Sequence, residues 1–158
     1  MAKKKPPLTL SEAGLEFVAR FEGFRAHPYN DAAAPPNATI GYGHMLHRGP
    51  VTKTDLNRYP HGITVKAGLA LLRADAATAV SAVRRSVKVK LTQAQFDALV
   101  SFTFNCGGGA LASSQLLRDL NAGHYHAVPG DLMHWTHAGS VELAGLVTRR
   151  RAEAVAFV

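Results

Sequence analysis

Over one stretch, His27 to His47, the three-to-four-residue spacing of apolar side chains that marks most of this chain disappears. Pro28, Pro35, Pro36, Gly41 and Gly43 interrupt any helix there, while Tyr29, Thr39 and Ile40 favour extended backbone. The stretch reads as a small hairpin or sheet with one long turn, and most of the remainder reads as helix. Thr9-Leu10-Ser11-Glu12 has the form of a capping box with Thr9 as the N-cap. Leu10, Gly14, Phe17 and Phe21 follow at helical spacing, and the pattern stops at Glu22-Gly23, with glycine where helices commonly end. Gly49 to Gly62 reads mostly as loop. Thr64 caps a long helix over 65–87, carried by Leu69, Leu72, Ala76, Val80, Val83 and Val87. Thr92 and Gln95 form a second capping box, opening a helix through Phe104 that the Gly107-Gly108-Gly109 run closes. Shorter helices are expected from Ser114 to Ala122, from Pro129 to Trp135 and from Leu146 onward. The fold class expected is α+β, mostly α.

A chain of 158 residues is close to one domain, and its 47% hydrophobic and 18% charged content fits a packed core. Residues 1–7 are expected to be a disordered basic tail and residues 8–158 a single domain. Lys3-Lys4-Lys5 is followed by Pro6-Pro7 and no apolar h-region, so no signal peptide is expected. No run of apolar residues is long enough for a transmembrane span, so no stable membrane anchor is expected. Cys106 is the single cysteine, which excludes an internal disulfide framework and reads as a small buried hydrophobe. The net charge of +7 favours polyanions: nucleic acid, anionic lipid or an anionic wall polymer. Zinc-finger spacing, RNP-type aromatics and a basic zipper are all missing, so nucleic acid is not expected. His124-x-His126 and His134-x-x-His137 lack acidic or cysteine ligands at matching spacing, so neither a metal nor a cofactor is expected.

Most of the eleven carboxylates have structural explanations: Glu12 in a cap, Glu16 four residues before Arg20, Glu153 four after Arg149. Glu22 differs. It stands at a helix C-terminus, where the macrodipole disfavours negative charge, beside Phe21 and Phe24. Such a place suits a general acid that must keep its proton near neutrality. Asp31 follows nine residues later in a polar, glycine- and proline-rich setting that suits an ionised carboxylate. Two carboxyls in contrasting environments form the arrangement used to cleave glycosidic bonds, although solvated surface acids give the same spacing.

FEGFRAHPYND followed by ATIGYGHML resembles the phage-type lysozymes of glycoside hydrolase family 24, T-even and lambdoid kinds alike. The family's helix-terminal Glu-Gly, the Asp nine positions on and Thr-Ile-Gly-x-Gly-His are all present as Glu22-Gly23, Asp31 and Thr39 to His44. LTQAQFDALVSFTFNCGGGAL, SSQLLRDLNAG, Trp135 and GLVTRRRAEAVAFV extend the likeness over nearly everything from Leu8 onward. The resemblance implies a two-lobed fold: a small β-sheet lobe over about 8–64, a connecting helix over 65–87 and a helical lobe over 88–158. It implies a muramidase that hydrolyses the β-1,4 bond between N-acetylmuramic acid and N-acetylglucosamine in peptidoglycan glycan strands, with inversion. By position, Glu22 is the acid, Asp31 the carboxylate that orients or activates water, and Thr39 the hydroxyl that holds it. Arg149 and Asn105 match supporting or substrate-binding positions, and His44 and Asp75 match a structural ion pair. A monomer is expected, held in a host cytoplasm until released to the wall. Two other readings stand on the same fold: a lytic transglycosylase, and a cationic wall- or membrane-binding protein. One departure concerns the loop between Asp31 and Thr39, which has seven residues where the family usually has five.

Overall fold

The computed structural model describes residues 6–158, so the expected basic tail lies outside the described residues except for Pro6 and Pro7. In chain order the elements are α1 (Glu12–Glu22), β1 (Arg25–Asn30), β2 (Asn37–Gly41), β3 (His44–Arg48), α2 (Lys53–Arg58), α3 (Val65–Asp75) and α4 (Ala77–Ser86). They continue with α5 (Gln93–Cys106), α6 (Gly108–Ser113), α7 (Gln115–Asn121), a 3-10 turn (Tyr125–Ala127), α8 (Val128–Leu132), β4 (His137–Ala138), β5 (Val141–Glu142) and α9 (Ala144–Phe157). This is the α+β, mostly helical class expected. No described helix is long and apolar enough to cross a membrane.

The chain divides into two compact units: Leu15–Ala77, and Thr78–Val158 together with the segment up to Gly14. In the first, β1, β2 and β3 form an antiparallel sheet in that order, with α3 packed on β2 and β3. Ala38 and Ile40 of the central strand are wholly buried, as are Val18 and Ala76. In the second, α5 packs on α9, and Phe96, Leu99, Phe102, Leu116, Leu120, Leu132 and Phe157 fill the core.

Several expectations from sequence are displaced. The N-cap of α1 is Ser11, not Thr9: the Ser11 hydroxyl accepts the Gly14 N–H at 3.0 Å. The shift has a tertiary cause, because the Asp97 carboxylate takes both the Ser11 N–H (3.1 Å) and the Ser11 hydroxyl. The Thr9 carbonyl instead accepts from Gln93 Nε2 at 2.8 Å, and the Leu8 carbonyl from Arg84 Nε at 2.8 Å. These bonds tie Leu8 and Thr9 to α4 and α5, in keeping with their place in the unit that holds Thr78–Val158.

The single helix expected over 65–87 is two helices, interrupted at Ala76, where ψ is −12° rather than the helical value near −42°. Asp75, the last residue of α3, is held by His44, and Ala76 follows with its N–H still on the Leu72 carbonyl at 2.9 Å. Leu72, Ala76, Ala79 and Val83 are all buried at helical spacing across the break, so periodicity runs straight through it. The segment read as loop before Gly62 holds α2, whose capping box is complete: Thr52 Oγ1 accepts the Asp55 N–H at 3.3 Å and Asp55 accepts the Thr52 N–H at 2.7 Å. Likewise α6 starts within the glycine run that was expected to be only a terminator.

Candidate active site

Helix α1 stops at Glu22 because Gly23 takes a left-handed φ of 69°, while its N–H still reaches the Ala19 carbonyl at 3.2 Å. The chain then turns directly into β1, which leads to Asp31. Asp31 is gathered onto Asn37 across the turn that joins β1 to β2. Its Oδ1 accepts the Asn37 N–H (2.8 Å) and the Ala33 N–H (3.1 Å), and its Oδ2 accepts from Asn37 Nδ2 at 2.9 Å. These donors favour the charged form. The Asn37 backbone N–H first, and then its side-chain amide, hold the Asp31 carboxyl below the usual carboxylate value.

The Asn37 carbonyl closes the arrangement from the other side. It accepts the Asp31 N–H at 3.0 Å and the Thr39 hydroxyl at 3.2 Å. Asp31 and Thr39 are therefore both bonded to the same residue. Thr39 is 3% exposed, just after an irregularity in the pairing of β2 with β3.

Tyr29 was read from sequence only as a strand former, yet it stands opposite Thr39 in the β1–β2 register. The Arg25 guanidinium lies over its ring, 4.4 Å from the centroid. Burial raises the phenol pKa, Arg25 opposes the rise, and the negative charges of Asp31 and Glu22 add to it. The Arg25-x-x-x-Tyr29 spacing leading into Asp31 was the available signal.

His44, on β3, meets Asp75, on α3, with Nδ1 3.1 and 3.0 Å from the two carboxylate oxygens. The expected pair is present and ties α3 to the sheet that carries Asp31 and Thr39. Gly41 and Gly43, between which the chain reverses from β2 to β3, have φ of 67° and 79°.

Arg149 and Asn105 belong to the other unit. Arg149, 4% exposed, donates from Nη2 to the Ser101 carbonyl (3.2 Å) and from Nε to Glu153 (3.3 Å). Arg150, wholly buried, lies 3.1 Å from Glu153 and donates to Asn105 Oδ1 at 2.7 Å and to Cys106 Sγ at 3.3 Å. Ser101 completes the cluster with a 2.6 Å bond to Glu153. Burial holds the Glu153 carboxyl above its usual value against the pull of Arg150 and Arg149. Sequence spacing explained Glu153 as an ordinary i,i+4 surface pair, but its burial makes it the shared counter-ion of two arginines. Burial likewise raises the Cys106 thiol, although the residue is only half-buried. Among the described residues no group of three or more His, Cys, Asp or Glu side chains is placed to hold a metal ion.

The phage lysozyme family model matches residues 19–153. The endolysin of Bacillus phage B103 is 37% identical over 154 residues, covering 96% of this chain but 54% of that protein. The chain thus spans about half the length of that relative, and the same holds for the endolysin of Bacillus phage PZA, of which it covers 55%. The endolysin of Salmonella phage P22 is 35% identical over 153 residues, which is 96% of this chain and 99% of that one. Among solved structures, the muramidase domain of SpmX from Asticaccaulis excentricus superimposes with a TM-score of 0.81 at 35% identity, covering 96% of this chain and 98% of that one. With the family model matched over most of its length, and relatives above 30% identity along nearly all of it, this chain belongs to the phage lysozyme family.

Proposed function

We propose that this protein is a muramidase, hydrolysing the β-1,4 bond between N-acetylmuramic acid and N-acetylglucosamine of peptidoglycan. The observation that carries the proposal is the contrast between its two acids. Glu22 is the last residue of α1, at the negative end of the helix dipole, while Asp31 is held ionised by three N–H donors. That contrast divides the labour of glycoside hydrolysis. Glu22 gives its proton to the bridging oxygen as the bond from that oxygen to the muramic acid C1 breaks. A water molecule forms the new bond to C1 and passes a proton to Asp31, with Thr39 and Asn37 fixing the geometry of that side. Solvent then returns a proton to Glu22 and removes one from Asp31, so atoms and charge balance. Carboxyls roughly 6.5–9.5 Å apart would leave room for that water and give inversion. The names of the endolysin and muramidase-domain relatives support the same substrate class.

The test is digestion of purified peptidoglycan by the parent protein and by Glu22→Gln, read by turbidity and by mass spectrometry of the products. Hydrolysis gives muropeptides with reducing ends, and Glu22→Gln should lower the rate by about 10²–10⁴ while its circular dichroism is unchanged. Predominantly 1,6-anhydro products, or a fully active Glu22→Gln, would refute the assignment.

A further inference from the structure

The unit holding residues 78–158 carries an apolar slot of about 140 Å³, and none of its lining belongs to the acid pair. Leu8, Val83, Val87, Val89, Leu91 and Phe96 form its walls, and among the described residues Arg84, itself exposed, is the one charged side chain lining it. The slot is open to solvent on one side, and its volume is close to the ~150 Å³ that, in an enclosed cavity, admits a benzene ring. It therefore has room for the end of an alkyl chain rather than for a whole lipid.

The sequence shapes one wall. Between α4 and α5, Val87-Lys88-Val89-Lys90-Leu91 alternates, so that the three apolar residues line the slot while Lys88 and Lys90 are exposed. Arg84, Arg85, Lys88 and Lys90 all fall between residues 76 and 96, a stretch without a single Asp or Glu. Arg84 donates to the Leu8 carbonyl through Nε (2.8 Å) and Nη2 (2.5 Å), which engages two of the five N–H donors of a guanidinium. Lys88 caps the end of α4 by donating to the Arg85 carbonyl at 2.6 Å. An apolar slot with a guanidinium in its wall and two exposed lysines on the strand-like segment beside it is complementary to one kind of small molecule.

We propose that this slot binds a single-chain anionic amphiphile, its alkyl end against Val83, Val89 and Phe96 and its head group on Arg84 and the neighbouring lysines. The proposal does not depend on the muramidase assignment, and the two fail separately.

Calorimetric titration of the full chain with dodecyl phosphate, below its micellar concentration, tests it. Dodecyl maltoside and inorganic phosphate serve as the neutral and tail-less probes. One saturable site is expected for dodecyl phosphate, with binding of the other two at least about tenfold weaker, the factor one hydrogen bond to a charged group supplies. Val89→Asp places a charge in the slot wall at a half-exposed position and should abolish binding. Lys88→Gln with Lys90→Gln should weaken it without touching the Arg84–Leu8 contact, and all variants should keep wall-lysing activity. Equal affinity for dodecyl maltoside, equal affinity for inorganic phosphate, or indifference to Val89→Asp overturns the proposal. So does amphiphile-free dimerisation, seen in sedimentation and removed by Val89→Asp, since a second copy would then be the occupant.

Discussion

Gly14→Ala is the substitution whose outcome the structure fixes against ordinary helix chemistry. Gly14 lies in the first turn of α1, where alanine should stabilise by about 1 kcal/mol on propensity alone. A Cβ there would stand 2.5 Å from Asp97 Cγ, 2.7 Å from Oδ1 and 2.8 Å from Cβ, all impossibly short. Asp97 has little freedom to yield, since it is 9% exposed and bonded to Ser11 and to Gln93 Nε2 at 2.9 Å. Overpacking costs about 1–3 kcal/mol, and losing the hydrogen bonds that cap α1 through a charged acceptor costs about 1.5–3 kcal/mol more. Against the propensity gain, the net is about 3 kcal/mol of destabilisation. For a chain of this size that lowers Tm by roughly 6–12 °C. Urea and thermal unfolding of the parent and Gly14→Ala measure it directly. In an Asp97→Ala background the same substitution meets only the remaining Cβ, so its cost should fall by at least about 1 kcal/mol in a double-mutant cycle. A Gly14→Ala protein as stable as its parent, or strict additivity with Asp97→Ala, would refute the reasoning.

Three further outcomes are expected. Asn37→Ala removes the side-chain donor on Asp31 but leaves the backbone one, so the Asp31 pKa rises and the acidic limb of wall-lysing activity moves to higher pH; an unmoved limb would dissociate Asn37 from the site. Glu153→Gln removes the carboxylate 3.1 Å from the wholly buried Arg150 and should cost about 3–5 kcal/mol in denaturant unfolding; a near-neutral result would mean water enters the cluster. The His47–Asp55 contact, at 2.9 Å, gives α2 a pH window. Asp55 is lowered to about 2, by the Thr52 N–H first and then by His47, so its share of stability is present above 3.8 and is lost as pH falls toward that value of about 2. His47 is raised, by the Arg48 carbonyl first and then by Asp55, so its share is complete below 6.5 and fades as pH climbs through the raised value. Amide exchange over Lys53–Arg58 should be slowest, relative to intrinsic rates, between these limits, and a protection profile flat from pH 2 to 8 would contradict this.

What the sequence disclosed, it disclosed through local chemistry. The Thr64 and Thr92 caps, the end of α1 at Gly23 and the strand character around Thr39 all depend on residues within four positions of one another. The misreadings share the opposite cause. Ser11 replaces Thr9 as the cap because of Asp97, 86 positions away. The break at Ala76 is invisible because buried alanine and valine continue the same period on both sides. Helix α2 was legible and missed: Thr52-Lys53-Thr54-Asp55 is a capping box, obscured by the glycines and prolines around it. For the candidate site, Glu22 and Asp31 stand out by their local settings, and Thr39 and the His44–Asp75 pair by resemblance. Tyr29 and the buried pairing of Arg150 with Glu153 needed coordinates, because register and burial decide their roles.

The clamp at Asn37 also bears on how such a chain tolerates change. Asp31 and Asn37 are joined by backbone and side-chain bonds at the base of the loop, and Ala33 is the last residue to contribute. Beyond it, Ala34 and Pro35 are exposed and Pro36 only half-buried. Length added at that tip is decoupled from the carboxylate, at an entropic cost near 0.6 kcal/mol for each doubling of the loop. Insertions and deletions can therefore drift there while the distance from acid to strand stays fixed, so lineages can vary in loop length without varying in chemistry. The same tip is a port for engineering: a short peptide tag or a reporter cysteine spliced between Ala34 and Pro36 would sit near the Asp31–Asn37 clamp without being wired to it.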